Sequence, residues 1–193
     1  MKPKTTNNGT PSSVDAICSH SRFSIRWLIR NDMPKVMAIE QTLDWSWTHE
    51  DYMACLRQRN CIGMVARTWQ DEFTEHDLVH GQMVYALFGD RLRILRFVVP
   101  PKKRRQGIGA AMFAKLVNKL SQQRHDQLVF VVRETEVGGQ MFLKAMGCHL
   151  TQVRRSVFGD EDGYEFVYSL RPMFSDAMWH EIADAEATVS EVV

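Results

Sequence analysis

The sequence predicts a single α/β domain. An apolar run, Leu92–Val99, enters a basic turn with two glycines, and the turn opens an amphipathic helix from Ile108 to about Gln122. A second run, Leu128-Val129-Phe130-Val131-Val132, is apolar at every position, as a strand covered on both faces must be. Between Phe23 and Leu170, segments with the two-residue period of strands interleave with segments of helical period.

The elements follow in order. Phe23–Ile29 alternates like a half-buried strand. Asn31 or Asp32 is placed to cap the next helix, with Pro34 in its first turn and Val36, Ile39 and Leu43 as its apolar stripe. A loop with Trp45 and Trp47 follows. Thr48 then caps a second helix, with Asp51 in the place of a capping-box acid. Cys61–Ala66 and Gln82–Phe88 read as strands joined by a polar, exposed connection from Thr68 to His80. Gly89-Asp90 marks a hairpin into the Leu92–Val99 strand. On the long helix Ile108, Met112, Leu116 and Leu120 share one face and read as core. A short helix, Gly138–Met146, stops at Gly147. Strands near Leu150–Val157 and Tyr164–Leu170 flank the acidic segment Gly159–Gly163, which lacks the remaining ligand positions of a calcium loop and reads as a hairpin turn. Residues 1–21 read as a flexible tail, 22–171 as the domain, and 172–193 as a second tail with a short helix near 177–185.

Composition narrows the class. The chain has 193 residues, 45% of them hydrophobic and 24% charged, which suits one soluble domain with a substantial core. A net charge of +1 gives no global attraction for nucleic acid. No apolar run is long enough to span a bilayer, and no leader pattern opens the sequence, so a cytoplasmic protein is expected. Cys18, Cys55, Cys61 and Cys148 are scattered without a CxxC pair, so they read as reduced thiols, with neither a metal site nor a disulfide framework.

The segment Pro100-Pro101-Lys102-Lys103-Arg104-Arg105-Gln106-Gly107-Ile108-Gly109-Ala110 carries the chemistry. Backbone N–H groups at a helix start bind phosphate, and glycine lets the phosphate approach. The Gly-Lys-Ser/Thr of a P-loop is absent, as is the third glycine of a dinucleotide fingerprint. The order Arg104-x-x-Gly107-x-Gly109, entered from an apolar strand, resembles the acetyl-CoA loop of the GNAT N-acetyltransferase superfamily, over roughly Phe23 to Leu170. Further segments resemble its ribosomal-protein-alanine branch: Ile39-Glu40-Gln41, Ser46-Trp47-Thr48, Val132-Arg133, Gly147-Cys148 and Arg154-Arg155.

The resemblance implies a mixed, mostly antiparallel sheet flanked by helices, with acetyl-CoA bound where the fourth and fifth strands splay apart. It implies that the backbone of Phe97, Val98 and Val99 pairs with the pantetheine arm, and that Arg104, Arg105, Gln106, Gly107, Ile108, Gly109 and Ala110 wrap the pyrophosphate. It implies a protein N-terminus as acceptor, with a ribosomal protein beginning in alanine as the candidate. The family's general base falls at Val131, its general acid at Leu143 and a cofactor-contacting Asn at Glu136. Valine and leucine move no protons, so Glu136 and Tyr164 are the substitutes to test, with Glu134, Glu165, His80 and Tyr85 behind them.

Without a base, the acceptor's own acidity decides. An α-amine of pKa about 7.8 is roughly a tenth neutral at pH 7, a lysine amine near 10.4 only about one molecule in 2,500. An α-amine acceptor is therefore expected. The alternatives are a degenerate domain that binds acyl-CoA or a protein without turnover, and an enzyme for a small amine.

Overall fold

The computed structural model describes residues 23–68, 78–123 and 125–170. In chain order they form β1 (Phe23–Trp27), α1 (Met33–Glu40), α2 (His49–Leu56), β2 (Cys61–Thr68), β3 (Val79–Phe88), β4 (Arg91–Val98), α3 (Ile108–Gln123), β5 (Gln127–Arg133), α4 (Val137–Ala145), β6 (His149–Phe158) and β7 (Glu161–Ser169). One seven-stranded sheet has the order β1-β2-β3-β4-β5-β7-β6. Every neighbouring pair is antiparallel except β4 and β5. This is the mixed sheet the sequence led us to expect, with the doubly apolar β5 in its interior.

Two cores cover the two faces. The stripe Ile108, Met112, Leu116 and Leu120 of α3 is buried with Leu92, Ile94, Leu128, Phe130, Leu143 and Phe166. On the other face Met33, Val36 and Tyr52 of α1 and α2 close over Val65 and Val84. Gly81 shows how tightly α3 sits: an added Cβ there would lie 2.9 Å from Met112 Sδ.

Local chemistry explains most boundaries. Thr48 and Asp51 form the expected reciprocal cap, Asp51 N donating to Thr48 Oγ1 at 3.2 Å and Thr48 N to Asp51 Oδ2 at 2.8 Å. Asp32 precedes α1 but does not cap it with its side chain. Its carboxylate turns back to the Ile29 amide at 2.9 Å and to Arg26 at 2.6 and 2.8 Å, because a nearby guanidinium outbids a neutral amide. The connection expected to end at His80 ends earlier. Val79 and His80 belong to β3, and His80 is buried beside Thr68 and Phe23. The Gly159–Gly163 turn is also shorter than expected: Glu161, Asp162 and Gly163 are strand residues of β7. The tails, the helix near 177–185, Cys18 and residues 69–77 lie outside the described residues.

No helix among the described residues is long and apolar enough to cross a membrane. Among them, no group of three or more His, Cys, Asp or Glu is placed to hold a metal ion.

Candidate active site

The site begins where the sheet's one parallel pair fails. β4 and β5 pair from Arg91↔Gln127 to Ile94↔Phe130 and then part. Beyond that point Arg96 to Val98 pair only with β3, while Val131 to Arg133 pair only with β7. A bulge drives the separation: the β3–β4 register slips between Val84 and Tyr85, leaving Leu95 as the extra residue. Leu95 and Arg96 consequently both face the α1–α2 side, Leu95 packed in the smaller core and Arg96 paired with Glu40. Phe97 returns to the other side, stacked on Phe142 of α4 at 5.8 Å and edge-on to Phe130 at 5.9 Å. The result is a notch with the backbone edge of β4 along one wall.

At the end of that wall lies the glycine turn. Arg105 has φ 62° and Gly107 φ 83°, so two left-handed residues alternate just before α3. Such alternation turns neighbouring N–H groups toward one point, an arrangement that binds anions. A left-handed arginine costs about 1–3 kcal/mol, a kind of strain that collects at functional sites. The N–H groups of Ile108, Gly109 and Ala110 have no intrahelical partner, and the first helical bond runs from Ala111 N to Gly107 O at 2.9 Å. Arg104 is tied to the wall by Nε–H donating to Val99 O at 3.2 Å. Space around Gly107 is open, with nothing within 4 Å of an added Cβ. Arg104 to Ala110 thus bring basic charge and open N–H groups together, and Phe97 and Val98, paired on one side only, leave a free backbone edge that leads from them to the notch. Gly109 has a second duty that the sequence did not announce. Its missing side chain lets Phe142 approach, since a Cβ there would lie 3.3 Å from Phe142 Cε2.

The opposite face of the notch is apolar. Val131 alternates with the core residues Phe130 and Val132 and so points to the α1–α2 side. A Cβ added at Gly163 would lie 2.8 Å from Val131 Cγ1, 2.5 Å from Val157 Cγ1 and 3.1 Å from Phe158 Cε2. Val157 and Phe158 therefore fold over Gly163 onto Val131. They reach it through an irregularity of β6 between Arg154 and Phe158, where Ser156 adopts φ 50°. Asp162 holds this kink, accepting from Ser156 N at 2.9 Å and from Arg155 Nη1 at 2.5 Å. The Ser156 amide, and after it the Arg155 guanidinium, hold the Asp162 carboxyl below its ordinary pKa. Gly163→Ala should force this layer apart and cost about 1–3 kcal/mol, as overpacking does, read as a lower thermal midpoint with β4 and α3 unaffected in hydrogen exchange.

The proton carriers expected from the sequence are scattered. Leu143, at the family's acid position, is 2% exposed in the main core. Tyr164 pairs with Val132, so its ring packs on the α3–α4 face, opposite to Val131. Glu136 sits at the start of α4, half-buried, and its side chain does not cap the helix. Glu134 is exposed and accepts from Asp162 N at 3.5 Å. Glu165 is the direct cross-strand partner of Val131, but Arg154 Nε–H donates to its carboxylate at 2.6 Å and holds it toward β6. Tyr85 lies in the main core, its phenol pushed up to about 12 by burial. Burial likewise pushes the Cys148 thiol up to about 12, the behaviour of a small buried hydrophobe.

Sequence reasoning missed the polar cluster beside the notch. Glu40, Tyr52, Gln82 and Arg96 meet there, together with the backbone of the Trp45–Trp47 loop. Burial, and then the Glu40 carboxylate, push the Tyr52 phenol far above its ordinary value. The single local signal was an acid at the end of an otherwise apolar helical stripe.

A parallel pair that parts beside a basic, left-handed helix entry leaves a free backbone edge leading to open N–H groups and arginine side chains, a place suited to an extended anionic ligand. Residues 23–147 match the acetyltransferase (GNAT) family. Among solved structures, the chain is similar to the ribosomal-protein-S18-alanine N-acetyltransferase of Escherichia coli (18% identity, 79% of this chain and 97% of that one, TM-score 0.65). It is similar to Ard1 from Thermoplasma volcanium (21%, 78% and 99%, TM-score 0.68) and to Arabidopsis thaliana NAA60 in complex with acetyl-CoA (14%, 77% and 98%, TM-score 0.65). No curated protein matches the sequence. The chain belongs to the acetyltransferase (GNAT) family, and it is an acetyl-CoA-dependent N-acetyltransferase.

Proposed function

We propose that this enzyme acetylates the N-terminal α-amine of a protein, by direct attack of the amine on acetyl-CoA within a ternary complex. The observation that carries the reading is the apolar layer Val131, Val157 and Phe158 at the place where the family's base would stand. A group that cannot accept a proton must meet an amine that has already lost one. Apolar surroundings help, because desolvation disfavours the ammonium form. The α-amine meets this demand far better than lysine does.

Three carboxylates on that face are matched. Glu40 pairs with Arg96, Glu161 with Arg133 and Glu165 with Arg154. A multiply cationic small amine would find these three counter-charges already engaged, which favours a peptide terminus over a polyamine or an aminoglycoside. The acetyl-CoA site proposed is Phe97, Val98, Val99 and Arg104 to Ala110. Of the two proton carriers drawn from the sequence, Glu136 keeps the better claim by lying at the notch's end of β5, and Tyr164 the weaker by facing the core. The likeness to the ribosomal-protein-S18-alanine N-acetyltransferase of Escherichia coli makes an alanine-first ribosomal peptide the first acceptor to try.

The test is mass spectrometry of a peptide panel with saturating acetyl-CoA, varying the first residue and including N-terminally blocked peptides with internal lysines. A gain of one acetyl group on free termini alone, strongest for alanine, is the expected result. Acetylation of lysines with free termini untouched would overturn it. Protein that binds acetyl-CoA yet modifies no peptide would favour the non-catalytic reading instead.

A further inference from the structure

On the α1–α2 side the helices cover one half of the sheet. α1 packs on β3 and α2 on β2, and their core closes over Val65 and Val84. Further across the sheet, the register sets Arg93, Val129, Val167 and His149 side by side in one row of that face. The two valines are 6% exposed each, yet neither belongs to either core. Ser169, two residues on in β7 and on the same face, holds its Oγ away from water without a hydrogen-bond partner. Apolar and polar groups are thus shielded in a part of the face that the α1–α2 core does not include.

Charge around this row is unbalanced. Higher on the face the cations are matched. Arg96 pairs with Glu40 and Arg154 with Glu165, and Arg133 pairs with Glu161 beneath the Trp45 ring, whose centroid is 3.9 Å from the guanidinium carbon. Arg93 is exposed and pairs with no carboxylate among the described residues. His149, at the other end of the row, is exposed as well. The chain that follows β7 has the complementary character. It leaves the sheet at the end nearest this row, where Leu170 N donates to Asp126 O at 3.0 Å. In residues 171–193, Asp176, Glu181, Asp184, Glu186 and Glu191 stand against the single cation Arg171. Phe174, Met178, Ile182, Ala185 and Val189 recur at intervals of four, four, three and four, the spacing of one helical face. Glu181 and Glu186 fall on the two borders of that stripe.

We propose that residues 174–189 fold back as an amphipathic helix onto this half of the face, their apolar stripe on Val129 and Val167 and one bordering glutamate on Arg93. The tether is long enough. From Leu170 to Phe174 the chain reaches up to about 13 Å, against about 7 Å from Ser169 back to Val167 along β7. The strip is too narrow to join separate molecules, which takes on the order of 1,200 Å² of buried surface. A tethered segment, however, meets it at an effective concentration on the order of millimolar. The folded domain then continues past β7, and the segment after that strand supplies the third helix of this side.

Hydrogen exchange of the full chain tests the proposal, with the free peptide 171–193 as reference. Amides 177–189 should exchange about 10- to 100-fold more slowly in the full chain than in the peptide, the scale set by burying one side chain such as Ile182. Met178→Asp and Ile182→Asp should each return them toward the peptide's rate, with β2 and β3 unchanged. Arg93→Glu, at an exposed position, should quicken them about two- to fivefold, the worth of a surface ion pair. Adding Glu181→Arg or Glu186→Arg to Arg93→Glu should restore slow exchange, and the one that does so identifies the border facing β4. Exchange as fast as in the free peptide would overturn the proposal. So would slow exchange that responds neither to Arg93→Glu nor to the added charge reversals, since the segment would then lie elsewhere. Slow exchange that fades on dilution would give the strip to a second copy of the chain and overturn the proposal too.

Discussion

Val131→Glu should raise kcat/KM toward a peptide terminus by about 10²-fold at pH 7, the lower end of what a positioned general base contributes. The carboxylate would enter the layer formed by Val157 and Phe158, against the notch where β4 and β5 part. The pH profile should change with it. In the unaltered enzyme kcat/KM should climb tenfold per pH unit and level off near the acceptor's own pKa, about 7.8 for an α-amine. An acceptor of lower amine pKa should shift that inflection down by the same amount. Val131→Glu should add an inflection belonging to the enzyme, above the ordinary glutamate value because its surroundings are apolar. A flat response to Val131→Glu, together with an inflection in the unaltered enzyme that ignores the acceptor, would mean that a base acts there already. Glu136→Gln would then be the variant to examine.

Arg105→Glu should weaken acetyl-CoA about 10- to 100-fold, as expected when a charge-assisted phosphate contact becomes a repulsion. Arg105 is exposed and left-handed, so the substitution leaves the core alone. Arg105→Gly separates charge from backbone. It removes the guanidinium but relieves the positive φ, so the protein should gain up to about 1 kcal/mol of stability while still losing cofactor affinity. Titration calorimetry with acetyl-CoA reads the binding, and thermal unfolding without ligand reads the strain. Unchanged affinity in both variants would move the phosphate site away from the glycine turn.

How much of this could be read beforehand follows from the range of each interaction. The α3 stripe, the Thr48 cap, the glycine turn and the doubly apolar β5 are patterns written within about a dozen neighbouring residues, and each stands in the structure as expected. The notch depends on where a ladder stops, which the Leu95 bulge decides through pairing with β3, and no local pattern states it. Glu40 and Arg96 are far apart in sequence, as are Trp45 and Arg133, so their meeting is a product of topology. Gly163 did leave a trace. A lone glycine in a strand often marks close backbone approach, but the acidic residues around it read more simply as a turn. The two carriers chosen for proton transfer were chosen by proximity along the chain. Tyr164 shows the weakness of that: neighbours in a strand point to opposite faces, and Glu165, one residue on, is the one beside Val131.

The kink of β6 has a consequence beyond the site. β6 is one of the two outer strands of the sheet, ten residues long, with Leu150, Val153 and Val157 exposed. An outer strand of that length with apolar side chains is a template on which another chain can add. Ser156 breaks the template, because a left-handed residue mid-strand twists the free N–H and C=O groups out of line, and Arg154 and Arg155 place charge beside the break. The distortion that brings Phe158 over the Arg133 guanidinium also makes this edge a poor template for edge-to-edge pairing. A variant that straightened β6 would be expected to lose the Phe158–Arg133 contact and solubility together, through one change of backbone shape.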